Sequence, residues 1–476
     1  MSAAALWRRT REVIDDFVHS RLYIAFIAVV AYVLWTGENL LAAMAVLSVI
    51  AGIILIAVRD TVPLVPFVVM APCVVHISEM PAELWQFALA IIPVLAGIVI
   101  HVACYRRNKI DRGAINLLPM AAFILALLVS GAFSSAPQDD MMGFVNVLYV
   151  GVLPFILYLF VRLYGEEKCR YGDYLAATMV IWGMLTAAQA FTVFAGALAE
   201  GVDIGSNSYV PRLGWGNSNV YPTVLMMCMP FNFYYMRKNA KWLLPAIALT
   251  AAEFVCTLYA HSRGAMIFTI LVLVACVIAV TVYNRKNPHY WAVFAAVALG
   301  LVVTLTFFWD RIVEVLGNTF SDKMQSSGRD YLYIEAVDRF FENPLFGAGM
   351  GYLGFVNKLH IESGFYQLHS TVFQTIGTMG LVGIAAMLWL YIARYYTVFS
   401  RLTPLNVFFF VAMIGFEGYS LVNTSTFTGL PCLTVIYMFL AVMELDRSAQ
   451  KGCILLGRTL KELAACGGGR WKKKRA

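Results

Sequence analysis

The sequence is poor in charged residues. Only 13% of its 476 residues are Asp, Glu, Lys or Arg, whereas a soluble domain carries about 25%. Because 61% of the residues are hydrophobic, much of the surface must face something other than water. The apolar residues stand in long continuous runs, which favours membrane-spanning helices over the short alternating segments of an outer-membrane barrel. We therefore predict an all-α polytopic membrane protein.

The sequence also lacks the marks of secretion and of a cysteine framework. Its first residues are polar and basic, and no small-residue cleavage site follows the first apolar run, so we expect no cleaved signal peptide. None of the nine cysteines has CxxC spacing. All of them fall in apolar runs or in connections assigned below to the cytoplasm, which argues against disulfides and against a zinc site.

Fourteen apolar segments can be marked, of which the first and third are short, so we predict 12 to 14 transmembrane helices. The segments begin near Leu22, Leu40, Val62, Leu84, Ile115, Phe144, Tyr174, Val220, Leu243, Ala265, Trp291, Thr371, Pro404 and Leu430. Every second connection between the apolar segments is basic, and together with the two termini these connections hold 28 of the 35 Lys and Arg residues. The positive-inside rule places these connections and both termini in the cytoplasm. The net charge of +7 thus indicates topology and no nucleic-acid partner.

The predicted organisation has four parts. They are transmembrane helices with short loops over 1–308, an extracytoplasmic loop over 309–368, C-terminal transmembrane helices over 369–445, and a basic cytoplasmic tail over 446–476. In the long loop, apolar residues between Tyr331 and Phe341 share one helical face, and "ENPLFGAGMGYLG" then ends the helix with proline and glycine. We expect this loop to fold as a helical cap on the membrane.

Arginine is scarce on the predicted outer face, so each outer arginine calls for a reason. Arg263 stands between two spans in "YAHSRGAMIF", where a structural role would be snorkelling to the headgroups. Arg212 stands in "VPRLGWGNSNVYPTVL", in which Asn217 and Asn219 can offer amide groups to sugars or phosphates. The structural alternative there is a helix N-cap formed by Ser218 or Asn219.

The third outer arginine, Arg329, begins the amphipathic helix. The structural alternative for this residue is a salt bridge to Asp330 or Glu335. Guanidinium groups bind phosphate oxygens in a bidentate way and keep their charge at every physiological pH. The sequence has no Mg²⁺-binding DxD or DDxxD motif. The three arginines therefore predict an anion site that works without a metal, with arginine neutralising pyrophosphate.

A histidine accompanies these arginines in "GFYQLHSTVFQ". His369 can accept a proton near pH 7, and Gln374 adds a polar group beside it. The alternatives are that His369 is a helix cap or a headgroup contact, and that His261 fills its chemical role.

Several of these segments together resemble the O-antigen ligase and Wzy-type polymerase superfamily of bacterial envelopes. They are "TLYAHSRGAMIFTILVL", "SSGRDYLYIEAVDRFFENPLFGAGMG" and "LHSTVFQTIGTMGLVG", preceded by "RLGWGNSNVYPTVL". The resemblance covers about residues 209–385 well. Two positions depart from the commonest pattern, since Ser370 replaces an asparagine and Ser218 replaces a proline, and the first departure leaves open how the imidazole is oriented.

The resemblance implies a GT-C-type glycosyltransferase in the bacterial plasma membrane, with an extracytoplasmic site. The donor would be a glycan on undecaprenyl pyrophosphate, and the acceptor a hydroxyl of a lipid such as lipopolysaccharide or of another glycan. Arg263 and Arg329 would hold the pyrophosphate, His369 would activate the acceptor, and Arg212 would assist. The reaction would invert the anomeric carbon and need no cofactor, nucleotide sugar or metal.

Two alternatives stay open. A Wzy-type polymerase would use the same donor with a lipid-linked repeat unit as acceptor. A lipid-linked glycan flippase or transporter would instead carry paired ionisable residues inside its spans. Glu253 and Glu417 are the only carboxylates assigned to spans, and neither is expected to have a basic partner there.

Overall fold

The fold is known from a computed structural model. It describes residues 2–76, 84–108, 110, 113–134, 136, 140–166, 171–206, 209–238, 242–321, 329–352, 368–400, 403–427 and 431–449. Most of the predicted basic tail and part of the predicted loop, including residues 353–367, lie outside this set.

The described residues form a bundle of α-helices, which confirms the predicted all-α class. The helices are α1 (Ala3–Val18), α2 (Arg21–Thr36), α3 (Leu40–Ala57), α4 (Leu64–Met70), α5 (Leu84–Ala90), α6 (Ile92–Cys104), α7 (Leu117–Ala132), α8 (Asp140–Asn146), α9 (Leu153–Tyr164), α10 (Tyr171–Ala199), α11 (Val220–Lys238), α12 (Leu243–Leu258), α13 (Arg263–Asn284), α14 (Pro288–Ser321), α15 (Arg329–Glu342), α16 (Thr371–Phe399), α17 (Pro404–Ser420) and α18 (Cys432–Ala449). Each predicted apolar segment coincides with one of these helices or with a closely spaced pair.

Among the described residues, five helical stretches are long and apolar enough to cross a membrane, or six if the bent pair α1 and α2 counts as one span. Six further apolar helices are shorter. The protein is therefore a polytopic membrane protein, while the count of 12 to 14 spans stays a prediction. The five stretches are α3, Gly143–Tyr164, α10, α13 and α16.

Helix α11 lies at the centre of the bundle. All its side chains from Tyr221 to Met236 are buried, because the helix is apolar on every face and packs among α10, α12, α13 and α17. The helices that surround α11 carry the residues considered below at one end of the bundle.

In the described part of the chain, two ion pairs lie buried inside the bundle, and they correct the sequence prediction. Arg394, one of the 28 basic residues counted in the cytoplasmic connections, lies within α16 and contacts Glu417 of α17 at 3.3 Å. Glu444 of α18, which was not assigned to a span, lies 3.6 Å from Arg162 of α9. Glu417 therefore does have a basic partner. The sequence did not indicate the pairs, because both arginines stand near helix ends, where polar residues are expected to belong to a loop.

Helix α16 is broken at Gly380, whose φ of 58° and ψ of −153° are not helical. Thr371 donates its N–H to the carbonyl of Asn423 at 3.2 Å, and Arg394 meets Glu417. Both halves of α16 therefore contact α17 or the residues just after it, and the non-helical backbone at Gly380 forms a kink between the two halves.

The glycine turn, residues 343–349, replaces the hydrogen bonds that the break removes. Two carbonyls of the turn accept from the two N–H groups that follow Gly380, at 2.8 and 3.1 Å. Two N–H groups of the turn donate to the carbonyls of Gly377 and Thr378, at 2.8 and 2.9 Å. A Cβ on Gly380 would lie 2.6 Å from the carbonyl oxygen of Pro344, so this close approach needs glycine. The turn and the broken helix therefore form one unit.

Helix α14 differs from the predicted organisation in its length. It continues past residue 309, where the extracytoplasmic loop was predicted to start, and ends at Ser321. Its 34 residues extend about 51 Å, whereas the hydrocarbon core is about 30 Å thick. The last turns of α14 therefore belong to the region assigned to the loop.

Candidate functional site

The start of α16 holds His369 in a fixed and strained position. The side chain of Ser370 accepts from the N–H of Phe373 and so caps the helix. The buried side chain of Gln374 accepts from the N–H of Leu368 at 2.9 Å. His369, held between these two anchors, has a φ of 50°, a left-handed conformation that costs a residue other than glycine about 1 kcal/mol or more.

The start of α15 brings Arg329 to this histidine. Arg329 donates to the carbonyl of Val422 at 2.9 Å, and the hydroxyl of Tyr333 donates to the carbonyl of His369 at 3.2 Å. The ring of Tyr333 stacks on Phe373 of α16 with centroids 4.2 Å apart. This stack holds α15 against α16, so the guanidinium and the imidazole share one mouth.

The environment keeps His369 neutral. Burial lowers the pKa of its imidazole, and the positive charge of Arg329 lowers this pKa further, while a hydrogen bond with Asn423 acts in the opposite direction. A neutral imidazole at pH 7 can accept a proton. The site therefore holds a permanent cation beside a potential general base.

A second group of polar side chains joins α11, α13 and α17. The hydroxyl of Ser262 donates to the amide oxygen of Asn219 at 2.9 Å and lies 3.1 Å from the hydroxyl of Tyr419. Tyr419 also donates to Asn219 at 3.1 Å. A Cβ on Gly264 would lie 2.7 Å from the Tyr419 ring, so this glycine is what allows the start of α13 to approach α17. Arg263 stands between these two contacts and is half-buried.

Asn423 links the two groups. It lies in hydrogen-bond contact with both His369 and Tyr419. The charge of Arg329 also acts on Tyr419. The structure thus brings together the predicted residues Arg329, His369 and Asn219, with Arg263 beside them.

His261 is close to this cluster in the chain but is engaged elsewhere. Its Nε2 atom lies 2.9 Å from the carbonyl oxygen of Ile204, and its backbone φ is 53°. Two histidines with left-handed backbones thus flank the site, at the starts of α13 and α16. Such conformations are concentrated at functional positions.

Arg212 and Asn217 are not brought into the cluster. Arg212 is exposed and, among the described residues, has neither an ion pair nor a hydrogen bond. The side chain of Asn217 accepts from the N–H groups of Asn219 and Val220, at 2.9 and 3.1 Å. Asn217 therefore forms the helix cap that was expected from Ser218 or Asn219.

An apolar groove of about 500 Å³ opens below the cluster, between α17 and the two halves of α16. Thr371 and Leu421 line the end next to His369 and Val422, and Glu417 and Tyr395 are polar residues of its wall. The exposed side chains of Leu388 and Ile414 open the groove sideways toward the lipid-facing surface. Its other lining residues are Val372, Thr375, Ile376, Ile384, Met387, Tyr391 and Gly418.

Four polar residues of the cluster were missed by the sequence reasoning as site residues: Ser262, Tyr333, Tyr419 and Asn423. Ser262 and Tyr333 stand inside the quoted motifs, so their spacing from Arg263 and Arg329 could have indicated them. No motif in the neighbouring sequence indicates Tyr419 or Asn423 as site residues. Within the described part of the chain, no three His, Cys, Asp or Glu side chains are grouped as metal ligands would be; metal independence remains a prediction.

Residues 246–388 match the family model Wzy_C, which is described as O-Antigen ligase. The matched stretch runs from α12 into the second half of α16 and includes Arg263, Arg329 and His369. It confirms the resemblance that the motifs in this stretch predict. No curated protein matches the chain in sequence.

Proposed function

Because residues 246–388 match the O-antigen ligase model, we propose that this protein is a membrane glycosyltransferase of the ligase type. It transfers a glycan from undecaprenyl pyrophosphate to an acceptor hydroxyl at the extracytoplasmic face of the bacterial plasma membrane. The match by itself supports a membrane ligase or polymerase, and the donor and mechanism are those that the family resemblance implies. One observation carries the inference: the guanidinium of Arg329 and the neutral imidazole of His369 share the mouth of an apolar groove.

The cluster suits the leaving group. Pyrophosphate departs readily once its charge is met, and preorganised cations lower that barrier electrostatically. Arg329 and Arg263 are the two cations assigned to this task, and the Ser262 and Tyr419 hydroxyls supply hydrogen bonds beside them. Arg329 is held on a backbone carbonyl, so its charge is already in place when the donor binds.

The imidazole suits the acceptor. His369 accepts the proton of the acceptor hydroxyl while the hydroxyl oxygen bonds to the anomeric carbon. The bond from that carbon to the pyrophosphate oxygen breaks, so undecaprenyl pyrophosphate leaves with the electron pair. Attack opposite the leaving group inverts the anomeric carbon. Gln374 and Ser370 act as positioning residues for the imidazole.

The groove suits the lipid part of the donor. Its walls are mainly aliphatic and aromatic, and one end meets the loop that bears His369. A polyprenyl chain that enters sideways from the bilayer gains the free energy of apolar burial while its pyrophosphate reaches Arg329. Glu417 and Tyr395, which are hydrogen-bonded to each other, add a polar patch to the wall of the groove.

The buried ion pair of Arg394 and Glu417 favours a second candidate function. Paired ionisable residues inside spans are typical of transporters, so a lipid-linked glycan flippase is the competing proposal. A Wzy-type polymerase differs from the ligase only in the acceptor. Two reconstituted assays with the same donor separate the three.

The first assay uses purified protein in bilayer nanodiscs with a synthetic undecaprenyl-pyrophosphate glycan, without nucleotide and with a chelator. Release of undecaprenyl pyrophosphate that requires an acceptor is the expected result. A lipid A-core or wall-glycan acceptor identifies a ligase, and a second lipid-linked unit identifies a polymerase.

The same donor in sealed vesicles tests the flippase. Movement of intact donor across the bilayer with no cleavage in any acceptor condition would contradict glycosyl transfer. A requirement for added divalent metal would contradict the arginine-based site.

A further inference from the structure

Helix α1 is a surface helix that neither the apolar segments nor the proposed function explains. It meets α2 at an angle of 80°. The other end of α2 reaches the segment before α11, where the indole of Trp35 donates to the carbonyl of Leu213 at 2.9 Å. Because α1 joins the opposite end of α2, it lies at the end of the bundle away from the candidate site.

One face of α1 is fixed against the protein. Arg11 donates to the carbonyl of Ala57 at 2.9 Å and to the hydroxyl of Tyr105 at 2.7 Å. Val18 is buried, and its carbonyl accepts from Tyr174 at 2.8 Å. These contacts hold the helix across the ends of α3, α6 and α10, so its outward face is determined.

That outward face carries an exposed apolar stripe. Leu6, Val13 and Phe17 are 56%, 62% and 39% exposed. Their spacings of seven and four residues place them on one side of the helix. Arg8, Arg9 and Asp16 are also exposed and lie on other faces.

The stripe continues the lipid-facing surface of α2. The rings of Phe17 and Phe26 are in contact, with centroids 5.9 Å apart. Phe26 and Val29 of α2 are 43% and 62% exposed. Because α2 is apolar over almost its whole length, its exposed surface faces lipid. A protein partner that covered the stripe would therefore also have to displace lipid from α2, whereas lipid covers both surfaces without a boundary.

We propose that α1 lies in the interface of the phospholipid bilayer, with Leu6, Val13 and Phe17 at the acyl-chain boundary. Arg8 and Arg9 then stand at the level of the lipid phosphates. Amphipathic helices bind membrane surfaces in this way by burying their apolar face beneath the headgroups. The inference does not depend on the glycosyltransferase assignment, because it uses no residue of the candidate site.

The test measures thiol reactivity in nanodiscs sized for one copy of the full chain. Val13→Cys and Asp16→Cys are each treated with a membrane-impermeant maleimide. The first native cysteine is Cys73, so mass spectrometry of the N-terminal peptide assigns the label. We expect labelling at position 13 to be roughly tenfold or more slower than at position 16, because a thiol in apolar surroundings ionises poorly.

A second matched pair, Phe17→Cys and Glu12→Cys, guards against a variant that misfolds. Equal labelling rates within both pairs would overturn the inference, since α1 would then project into water. Protection that appears only in larger discs holding two copies would also overturn it, because the stripe would then be an interface between chains.

Discussion

His369 carries the mechanism at the scale of single residues. Its strained backbone is maintained by Gln374 and Ser370, and its pKa is lowered by burial and by the charge of Arg329. A lowered pKa means that the imidazole is already neutral above its ordinary value of 6.5. The base is therefore ready at neutral pH and loses function only in acid.

We expect His369→Ala to reduce transfer by about 100-fold or more, the usual contribution of a general base. In the wild type the rate should be constant above pH 6.5 and fall only in more acidic solution. In Arg329→Gln the residual activity should fall at a higher pH, because the charge that lowers the pKa is gone. Initial rates of undecaprenyl pyrophosphate release across pH check both expectations. An acid limb at the same pH in both proteins would show that Arg329 does not act on the base.

We expect Arg329→Lys to lose about 100-fold in transfer, as when one preorganised donor is removed from a charged transition state. A lysine is a point charge and cannot bridge the Val422 carbonyl and a phosphate as a planar guanidinium can. Arg339→Lys is the matched control on the same helix, since Arg339 pairs with Glu335 and Glu342 away from the cluster. Full activity in Arg329→Lys would make Arg329 a structural residue.

The residues that could be predicted from the sequence are those inside a local motif. Arg263, Arg329 and His369 each stand beside glycine or polar neighbours that mark a special position. Tyr419 and Asn423 could not be predicted, because they reach the cluster only through the packing of α17 against α13 and α16.

At the scale of elements, the central feature is the union of the glycine turn with the break in α16. The turn follows α15, which begins at Arg329, and the first half of α16 begins beside His369. The two helices also touch at Ala336 and Gly377, where a Cβ on the glycine would lie 2.9 Å from Ala336. The unit therefore sets the distance between the guanidinium and the imidazole.

We expect Gly380→Ala to reduce the maximal rate of transfer at least tenfold and to lower thermal stability, because a Cβ there meets the turn backbone and φ is positive. Gly131→Ala in α7 is the control, since nothing lies within 4 Å of its Cβ. Rates and melting temperatures of the two variants check this. A Gly380→Ala protein with wild-type turnover would show that the break does not position the site.

The hinge between α1 and α2 should respond to alkaline pH. Burial opposes the charged form of His19, but hydrogen bonds to the Asp60 carboxylate and the Asp15 carbonyl outweigh it and raise the pKa to about 9. A raised pKa adds stability that is complete below 6.5 and is lost as pH rises through about 9.

We therefore expect His19→Gln to lower the melting temperature by a few degrees at neutral pH. The Asp60 carboxylate would keep the hydroxyl of Tyr171 but lose its cation. The difference from wild type should vanish above about pH 9. Melting curves over this range are the check, and a difference independent of pH would contradict the charged pair.

The positions of the helices could be predicted, whereas the break in one of them could not. Long apolar runs have one low-energy conformation in lipid, the α-helix. Each apolar run in the sequence therefore corresponds to a helix or to a closely spaced pair of helices. The break at Gly380 lies inside "TIGTMGLVGIAAMLWLYIA", which reads as one continuous span. The break is stabilised by hydrogen bonds from the glycine turn, which is distant in sequence. Helix α1 was missed because the helix as a whole is too polar to be recognised as a membrane span, although one of its faces is apolar.

At the scale of the whole molecule, buried ion pairs connect helices inside the bundle. The pairs of Arg394 with Glu417 and of Arg162 with Glu444 hold α16, α17, α18 and α9 together within the membrane. Removing one partner of such a pair leaves an uncompensated charge and is costly. The ion pairs therefore fix the helices on which the cluster and the groove depend.

The most direct test of the central claim is the binding of undecaprenyl pyrophosphate, the proposed leaving group, to the protein in nanodiscs with a chelator present. Each arginine removed from a charged hydrogen bond should weaken binding by about tenfold or more. We predict that Arg263→Gln and Arg329→Gln bind at least that much more weakly than wild type, while His369→Ala binds normally and fails only in transfer. Unchanged affinity in both arginine variants would contradict the account.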